Sequence, residues 1–362
     1  METESTPLAG TTTSVRGAEP ALRMGILGAA AIAPAALVRP ARSTPGVDVV
    51  AVAARDRRRA DKFAAKHRIP NVHGSYDDLL ADPDIDAVYV PLPNGLHGRW
   101  TIAALEAGKH VLCEKPLAAN AVEAKRMADA AERSGLLLME AFHWRYHPIN
   151  VQLLDLVAGG AIGRVERIDA AFCFPLLGKP GDIRWRADLA GGALMDAGCY
   201  PINMVRAVAH SAGFDEPEVV GARIASTRAG RSRGVVDRAA RGELRWQASN
   251  GAPVAGSVRC SMWGRDVLAL SLDVHGDAGK LHVRNPLAPQ LFGRLRGRTE
   301  RGPVRERADR SVTTYGCQLR AFAAAVQRGE PFPTTADDGV RNMAVIDALY
   351  RAGGLEPHEP SA

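Results

Sequence analysis

The stretch LRMGILGAAAIA, residues 22–33, decides how the rest of the chain is read. An apolar run from Leu22 to Leu27 stops at Gly28, and an alanine-rich stretch of helical composition follows. A buried strand, a tight turn and a helix fit that order. The turn Gly28-Ala29-Ala30-Ala31-Ile32-Ala33 fills the first and last positions of a G-x-G-x-x-G/A pattern, with Ala30 replacing the central glycine. Such a pattern suits a backbone that turns sharply and brings its N–H groups against a pyrophosphate at a helix N-terminus. Gly28 gives the turn, Ala33 is small enough for helix–strand packing, and Ala30 costs some clearance at the phosphate. Gly28, Ala30, Ile32 and Ala33 are therefore candidate cofactor contacts. Any strand followed by an alanine-rich helix would match this pattern, so its surroundings carry the weight.

Outward from the turn, further short apolar runs at Asp48–Ala54, Ala87–Pro91, His110–Cys113 and Leu136–Ala141 alternate with helical stretches at Arg57–Lys66, His97–Ala107 and up to Ser134. Asn120 caps the last of these, with Glu123 at the third position. Continuous rather than alternating apolar strands predict a doubly wound parallel sheet covered on both faces. After Pro148 the texture changes. A helix to Gly159 precedes hairpin-like runs at Arg164–Phe174, Val254–Met262, Leu268–His275 and Lys280–Arg284, and helices at Gln318–Arg328 and Asp337–Arg351 close the chain. The fold class is thus α/β: a dinucleotide-binding Rossmann domain over 21–144 and an α+β domain over 145–354 on an open, mainly antiparallel sheet. Residues 1–20 read as a disordered tail and 355–362 as a second tail. The arginine-rich stretches Arg228–Arg245 and Arg294–Arg310 read as solvated loops.

Composition narrows the function. Across 362 residues, 46% are hydrophobic and 24% charged, which excludes a disordered, fibrous or small disulfide-bonded chain. The net charge is +6, and 39 of the 46 basic residues are arginine. In an alanine-rich chain that skew reads as a compositional habit, and the arginine runs lack the interleaved aromatics of a nucleic-acid platform. No nucleic-acid partner is expected. Five cysteines without a C-x-x-C pair fit reduced thiols rather than a disulfide framework or a zinc site. His143 and His147 have the spacing of a helical metal pair but lack the H-E-x-x-H pattern, so no metal is expected, and a rim position near the cofactor, together with Arg145, is the better reading. No apolar run approaches the 18 residues of a membrane span, and the first twenty residues lack the features of a signal peptide. A cytoplasmic protein without a membrane partner is expected.

The second strand ends in Ala53-Ala54-Arg55-Asp56-Arg57-Arg58-Arg59. An NAD site usually places an acidic residue there for the ribose 2′-OH. Arg55 and Arg59 suit a 2′-phosphate instead, through charge-assisted bonds, so NADP is favoured. Asp56 keeps NAD possible. Three further segments stand out: Pro93-Asn94-Gly95-Leu96-His97, Cys113-Glu114-Lys115-Pro116, and Gly191-Gly192-Ala193-Leu194-Met195-Asp196-Ala197-Gly198-Cys199-Tyr200. The first two fall at the carboxyl ends of strands, where ligands bind in such sheets. An alcohol oxidation requires a base for the hydroxyl proton as hydride leaves carbon. A free tyrosine is a poor base at neutral pH, and a nearby ammonium lowers its pKa. Lys115 can supply that ammonium, Tyr200 the proton acceptor, and Asp196 can fix the lysine. Arg184 and Trp185 precede the glycine pair and are candidate pocket residues.

E-K-P followed by D-x-G-x-Y, behind a glycine turn, resembles the glucose–fructose oxidoreductase / inositol dehydrogenase / MocA (Gfo/Idh/MocA) family from about Leu22 to Gly354. The stretch from Ser75-Tyr76 through Trp100 to E-K-P and Glu140-Ala141-Phe142 is similar to the branch with dimeric dihydrodiol dehydrogenase and NADP-dependent D-xylose dehydrogenase. The resemblance implies an NAD(P)-dependent dehydrogenase moving hydride between nicotinamide and a hydroxyl-bearing carbon of a polyol, sugar or diol. It implies Lys115, Tyr200 and Asp196 as catalytic residues. It implies Asn94 and Glu114 near the nicotinamide ribose, His97 near nicotinamide or substrate, Arg55 and Arg59 at the 2′-phosphate, and a cis Lys115–Pro116 bond. Relatives often pair through the open sheet face, so a homodimer or homotetramer is expected. Two alternatives stay open: a redox-assisted glycoside hydrolase or lyase that recycles its cofactor, and a non-catalytic NADP-binding protein.

Overall fold

The computed structural model describes residues 20–176, 182–228, 234–248, 251–263 and 268–361. Most of the tail read over 1–20 lies outside them. Six parallel strands form the first sheet: β1 (Leu22–Leu27), β2 (Val47–Ala53), β3 (Asn71–His73), β4 (Ala87–Val90), β5 (His110–Cys113) and β6 (Leu138–Glu140). Their order is β3-β2-β1-β4-β5-β6. Every residue of β4 and β6 is buried, as a sheet covered on both faces demands. The order reverses between β1 and β4, and a ligand crevice opens outside the carboxyl ends at such a point. β3 and the short helix Tyr76–Leu80 went unread because each is too short to show a period.

The second sheet has eight strands: β7 (Val165–Cys173), β8 (Glu218–Arg228), β9 (Val235–Gln247), β10 (Pro253–Ser261), β11 (Ala269–Gly276), β12 (Gly279–Arg284), β13 (Arg294–Thr299) and β14 (Gly302–Arg307). Their order is β14-β13-β12-β11-β7-β10-β9-β8, and only β7 and β10 pair in parallel. The expected open, mainly antiparallel sheet is present. Three strands correct the reading of the arginine-rich stretches as loops. β9 supplies the physical reason: from Ala240 to Gln247 its residues alternate buried and exposed, with Leu244 and Trp246 inward and Arg241 and Arg245 outward. The arginines decorate one face of a strand whose other face is core. β13, with Leu295 and Thr299 inward, is a second such case, and β14 pairs beside it at the sheet edge.

The two final helices, Thr314–Arg328 and Ala336–Ala352, do not belong to the second sheet alone. Leu319, Phe322 and Ala323 share a core with Met24, Ile26 and Leu37, while Ala336–Ala352 packs on the helix Ala121–Ser134. The chain thus returns to brace its first domain. Residues 355–361 likewise form no free tail. The Ser361 amide donates to Gly95 O at 2.8 Å, Ser361 Oγ to Asp188 O at 2.6 Å, and Asn120 Nδ2 to His358 O at 2.7 Å. This strap fastens a loop of the first domain to a loop of the second. Deleting residues 355–362 is expected to remove about 3 kcal/mol, at roughly 1 kcal/mol for each of these three hydrogen bonds, and to lower Tm by several degrees in calorimetry. An unchanged Tm would mean the strap holds nothing.

Candidate active site

The crevice at the switch point is a cleft of about 600 Å³ lined by Gly28 to Ala31, Ala54 to Asp56, Arg59, Tyr76, Pro91 to Pro93, Leu96 and Ile183. Gly28 has φ +111°, where side chains are strained, and a Cβ there would stand 3.0 Å from Leu92 Cδ2. The amides of Ala31 and Ile32 donate to no backbone carbonyl among the described residues, and the helix begins directly after them at Ala33. That is the donor arrangement a pyrophosphate takes at a helix start, so the turn fits a dinucleotide. Ala33 is fully buried, as helix–strand packing requires. Arg55 and Arg59 are exposed at the rim, and Arg59 Nη2 reaches Ala29 O at 3.5 Å. Asp56 faces its own helix: Oδ1 accepts from the amides of Arg58 and Arg59 at 3.0 and 3.4 Å. It caps Arg57–His67 and so aims Arg59.

The E-K-P loop leaves β5 and carries the cis Lys115–Pro116 bond. Glu114 is buried; its Oε1 accepts from Tyr89 Oη at 2.6 Å and its Oε2 from the Lys115 amide at 3.3 Å. Burial raises its pKa, against the pull of Lys115. Beneath the loop, Glu140 Oε1 accepts from the Leu117 amide at 2.8 Å. Burial, with Asp338 nearby, pushes Glu140 up to about 8, so this support is largely neutral at pH 7.

Lys115 Nζ donates to the backbone carbonyl of Asp196 at 2.9 Å, stands 3.7 Å from its carboxylate, and lies over the Tyr200 ring at 4.9 Å from the centroid. Burial opposes the ammonium, yet Asp196 and Glu114 hold its pKa above the ordinary value. The other Asp196 oxygen accepts from Arg184 Nε at 2.9 Å. Asp196 is therefore shared between two cations. Arg184 acts through this carboxylate rather than standing free in a pocket. Its neighbour Ile183 lines the cleft, so cleft and cluster adjoin. Trp185 is half-buried and packs on the core.

Tyr200 corrects the sequence argument on one point. Its hydroxyl meets no ammonium; it lies 3.0 Å from His143 Nε2. Burial, together with Tyr315 and Glu114, pushes its pKa well above 10. Lys115 faces the ring, not the oxygen, and the resting group is a protonated phenol. His97 packs against the E-K-P loop. Its ring is fully buried, and both nitrogens lie 2.8 Å from backbone carbonyls, of Pro116 and Leu92. Its single N–H in the neutral form donates to one of those carbonyls, and the ring packs between the β4 loop and the E-K-P loop. Asn94 Nδ2 donates to Ala190 O at 2.9 Å and so joins the two domains.

One residue escaped the sequence reading. Asp237 accepts from the Leu194 amide at 2.6 Å and from Tyr350 Oη at 2.8 Å, which anchors the start of the segment bearing Asp196 and Tyr200. Gly192 permits it: φ is +133°, and a Cβ there would overlap Asp237 Oδ1. The available signal was an aspartate at the inward-facing start of β9, directly after Val235-Val236. His143, expected at the cofactor rim with Arg145, is buried with its Nε2 3.0 Å from Tyr200 Oη, and His147 points elsewhere. His147 Nδ1 accepts from the Ile149 amide and its Nε2 lies 3.1 Å from Val312 O. Among the described residues no group of His, Cys, Asp and Glu gathers around a metal position. No helix among them is long and apolar enough to cross a membrane.

Comparison with known proteins adds an independent line. The profile of the Gfo/Idh/MocA oxidoreductase family, NAD-binding Rossmann fold, matches residues 22–142, and that of the Gfo/Idh/MocA C-terminal domain matches residues 151–282. D-xylose 1-dehydrogenase (NADP(+)) 2 of Haloferax volcanii is 36% identical over 338 residues, 91% of this chain and 97% of that protein. Trans-1,2-dihydrobenzene-1,2-diol dehydrogenase of Xenopus laevis is 42% identical over 181 residues, 49% of this chain and 53% of that protein. Among solved structures, a 3-ketoreductase from Actinomadura kijaniata in complex with NADP and TDP-benzene superposes with TM-score 0.78 at 32% identity, covering 92% of this chain and 98% of that one.

Proposed function

The chain belongs to the Gfo/Idh/MocA family of oxidoreductases, and from that premise we propose that it is an NADP-dependent dehydrogenase acting on a hydroxyl-bearing carbon of a sugar or sugar-like ring. The observation that carries the reading is the meeting of Lys115, Asp196 and Tyr200 beside a cleft whose floor is the Gly28 turn and whose rim holds Arg55 and Arg59. The 2′-phosphate preference rests on those two arginines and on Asp56, whose carboxylate is engaged as a helix cap. Gly28 to Ala33 would hold the pyrophosphate. Glu114 and Asn94 would shape the nicotinamide end, and His97 would hold the two loops there in register.

When bound, the nicotinamide accepts or supplies the hydride. The chain's own residues handle the proton. With a ketone bound, Tyr200 gives its phenolic proton to the oxygen. Lys115, a buried ammonium, stabilises the charge that grows on that oxygen. Asp196 holds Lys115 from one side and Arg184 from the other, so the ammonium stays aimed. In the oxidising direction the same hydroxyl oxygen takes the alcohol proton back, which requires Tyr200 to enter the cycle as phenolate.

The test follows absorbance at 340 nm with NADP and a panel of aldoses, inositols and trans-dihydrodiols, and with NADPH and keto sugars. Turnover on a sugar or ring alcohol with NADP supports the reading. NADPH binding without turnover on any member would make the chain a binding protein, and glycoside cleavage without net NADPH would make it a lyase or hydrolase.

A further inference from the structure

We propose that His143 is a positioning residue for proton transfer: its Nε2–H donates to Tyr200 Oη, leaving the tyrosine's own proton free for the substrate oxygen and stabilising the phenolate once that proton has gone. The inference rests on the reading of Tyr200 as proton donor and adds which group controls it. His143 Nε2 and Tyr200 Oη are 3.0 Å apart. His143 Nδ1 is buried and without any hydrogen-bond partner. A neutral imidazole carries one N–H and one bare nitrogen. Placing the hydrogen on Nδ1 would bury an unpaired N–H, whereas placing it on Nε2 pairs the donor and leaves only a lone pair bare. Buried orphan donors are the rarer and costlier case, so the Nε2–H form is favoured.

The surroundings keep the ring neutral and fixed. The Tyr315 ring covers His143 at a centroid distance of 4.2 Å, and the Tyr200 ring meets it edge-on at 5.7 Å. Burial, with the Lys115 ammonium nearby, holds the imidazole pKa down to about 3. An imidazole that does not ionise in the working range cannot relay a proton, but it can donate a steady hydrogen bond. The groups facing Tyr200 otherwise are Lys115 over its ring and Tyr315, Glu114, Cys199 and Asp196, all four of which oppose the phenolate. His143 is the donor found at the oxygen itself. After proton transfer, the Nε2–H···O⁻ bond becomes charge-assisted and therefore stronger, so it favours the state in which the proton has moved.

Two measurements test this. The first needs no substrate: the protein is labelled with 15N-histidine and its ring nitrogens are correlated with ring protons. His143 among the ten histidines is assigned by the signal lost in His143→Gln. A hydrogen on Nε2 with Nδ1 bare is expected; a hydrogen on Nδ1 overturns the proposal. The second compares His143→Phe, which keeps ring volume, with His143→Gln, which can restore an N–H donor. The reaction is oxidation of D-xylose, or of whichever panel alcohol turns over faster. For Phe, kcat is expected to fall about 10- to 30-fold with KM within about threefold, and the alkaline rise of kcat to move up by about 1 to 2 pH units. Gln is expected to recover most of both. If Phe does not fold, Met serves as the donor-free variant. Equal losses in Phe and Gln, or an unmoved pH profile, mean that His143 only fills space. In a Tyr200→Phe background His143→Phe should add no loss. If Tyr200→Phe alone keeps full rate, it is the reading of Tyr200 that has failed, which the tautomer measurement distinguishes.

Discussion

Tyr200→Phe is expected to lower kcat about 10²- to 10⁴-fold, the usual worth of a positioned general acid or base, while leaving NADPH affinity within a few-fold. The reason is local. The substitution removes one oxygen, which among the described residues hydrogen-bonds with His143, and leaves the ring that packs edge-on against Phe142 and Phe172. The core contact survives and the proton does not. Lys115→Ala is expected to cost as much in kcat, but for another reason: it takes away the ammonium that meets the developing charge and leaves the Asp196 carboxylate with Arg184 as its remaining partner. The double variant should be little worse than either single one, because the two groups act on the same oxygen in the same step. Steady-state rates with the best panel substrate, alongside NADPH fluorescence titration, decide the matter. Rates within a few-fold of wild type for both variants would remove these residues from the chemistry.

Such an effect could be anticipated from residue order alone because the chemistry leaves few types of side chain to choose from. Lys115 and Tyr200 lie 85 positions apart, yet each sits at one end of an element: Lys115 just past the strand His110–Cys113 and Tyr200 in the first turn of the helix Cys199–Ser211. The parallel sheet was equally readable: a strand buried on both faces has no polar residues to interrupt it, and β4 and β5 are uninterrupted. The arginine-rich strands were harder. In β9 the inward residues are Ala240, Gly242, Leu244 and Trp246, two of them too small to register as hydrophobic, so the outward arginines dominate the composition. Period two was present and the average concealed it.

Other features depend on contacts that no local pattern encodes. The sign of the Tyr200 shift turns on burial, and burial turns on Phe142, Phe172 and Tyr315 arriving from three separate segments. A lysine above the ring does not by itself lower the phenol pKa, and here burial outweighs it. His97 gives the same lesson in reverse. A histidine after a strand end looks like a ligand contact, but this ring is buried with a backbone carbonyl 2.8 Å from each nitrogen, one of which its single N–H pairs. The strap at 355–361 has no apolar period because it is held by backbone groups and by Ser361 Oγ. Polar, short and terminal, it reads as a tail until its partners Gly95 and Asp188 are known.

The second large effect falls on the cofactor rather than on catalysis. Arg55→Ala combined with Arg59→Ala is expected to weaken NADP by roughly 30- to 100-fold and NAD by less than about threefold. Both guanidinium groups are exposed, so the loss is set below that of a buried charge pair. For the same reason the NADP loss should shrink at high ionic strength, where exposed charges are screened. Arg59 should carry the greater share. Its helix start is fixed by the Asp56 cap and it already reaches across to Ala29 O, whereas Arg55 makes no side-chain bond described here. Asp56→Ala is then informative in its own right: by loosening the first turn of Arg57–His67 it should weaken NADP through Arg59, although it removes a negative charge that simple electrostatics would count as a gain. Equal weakening of NADP and NAD in the double arginine variant would mean that these side chains shape the rim without reading the phosphate, and the preference for NADP would then lose its structural basis.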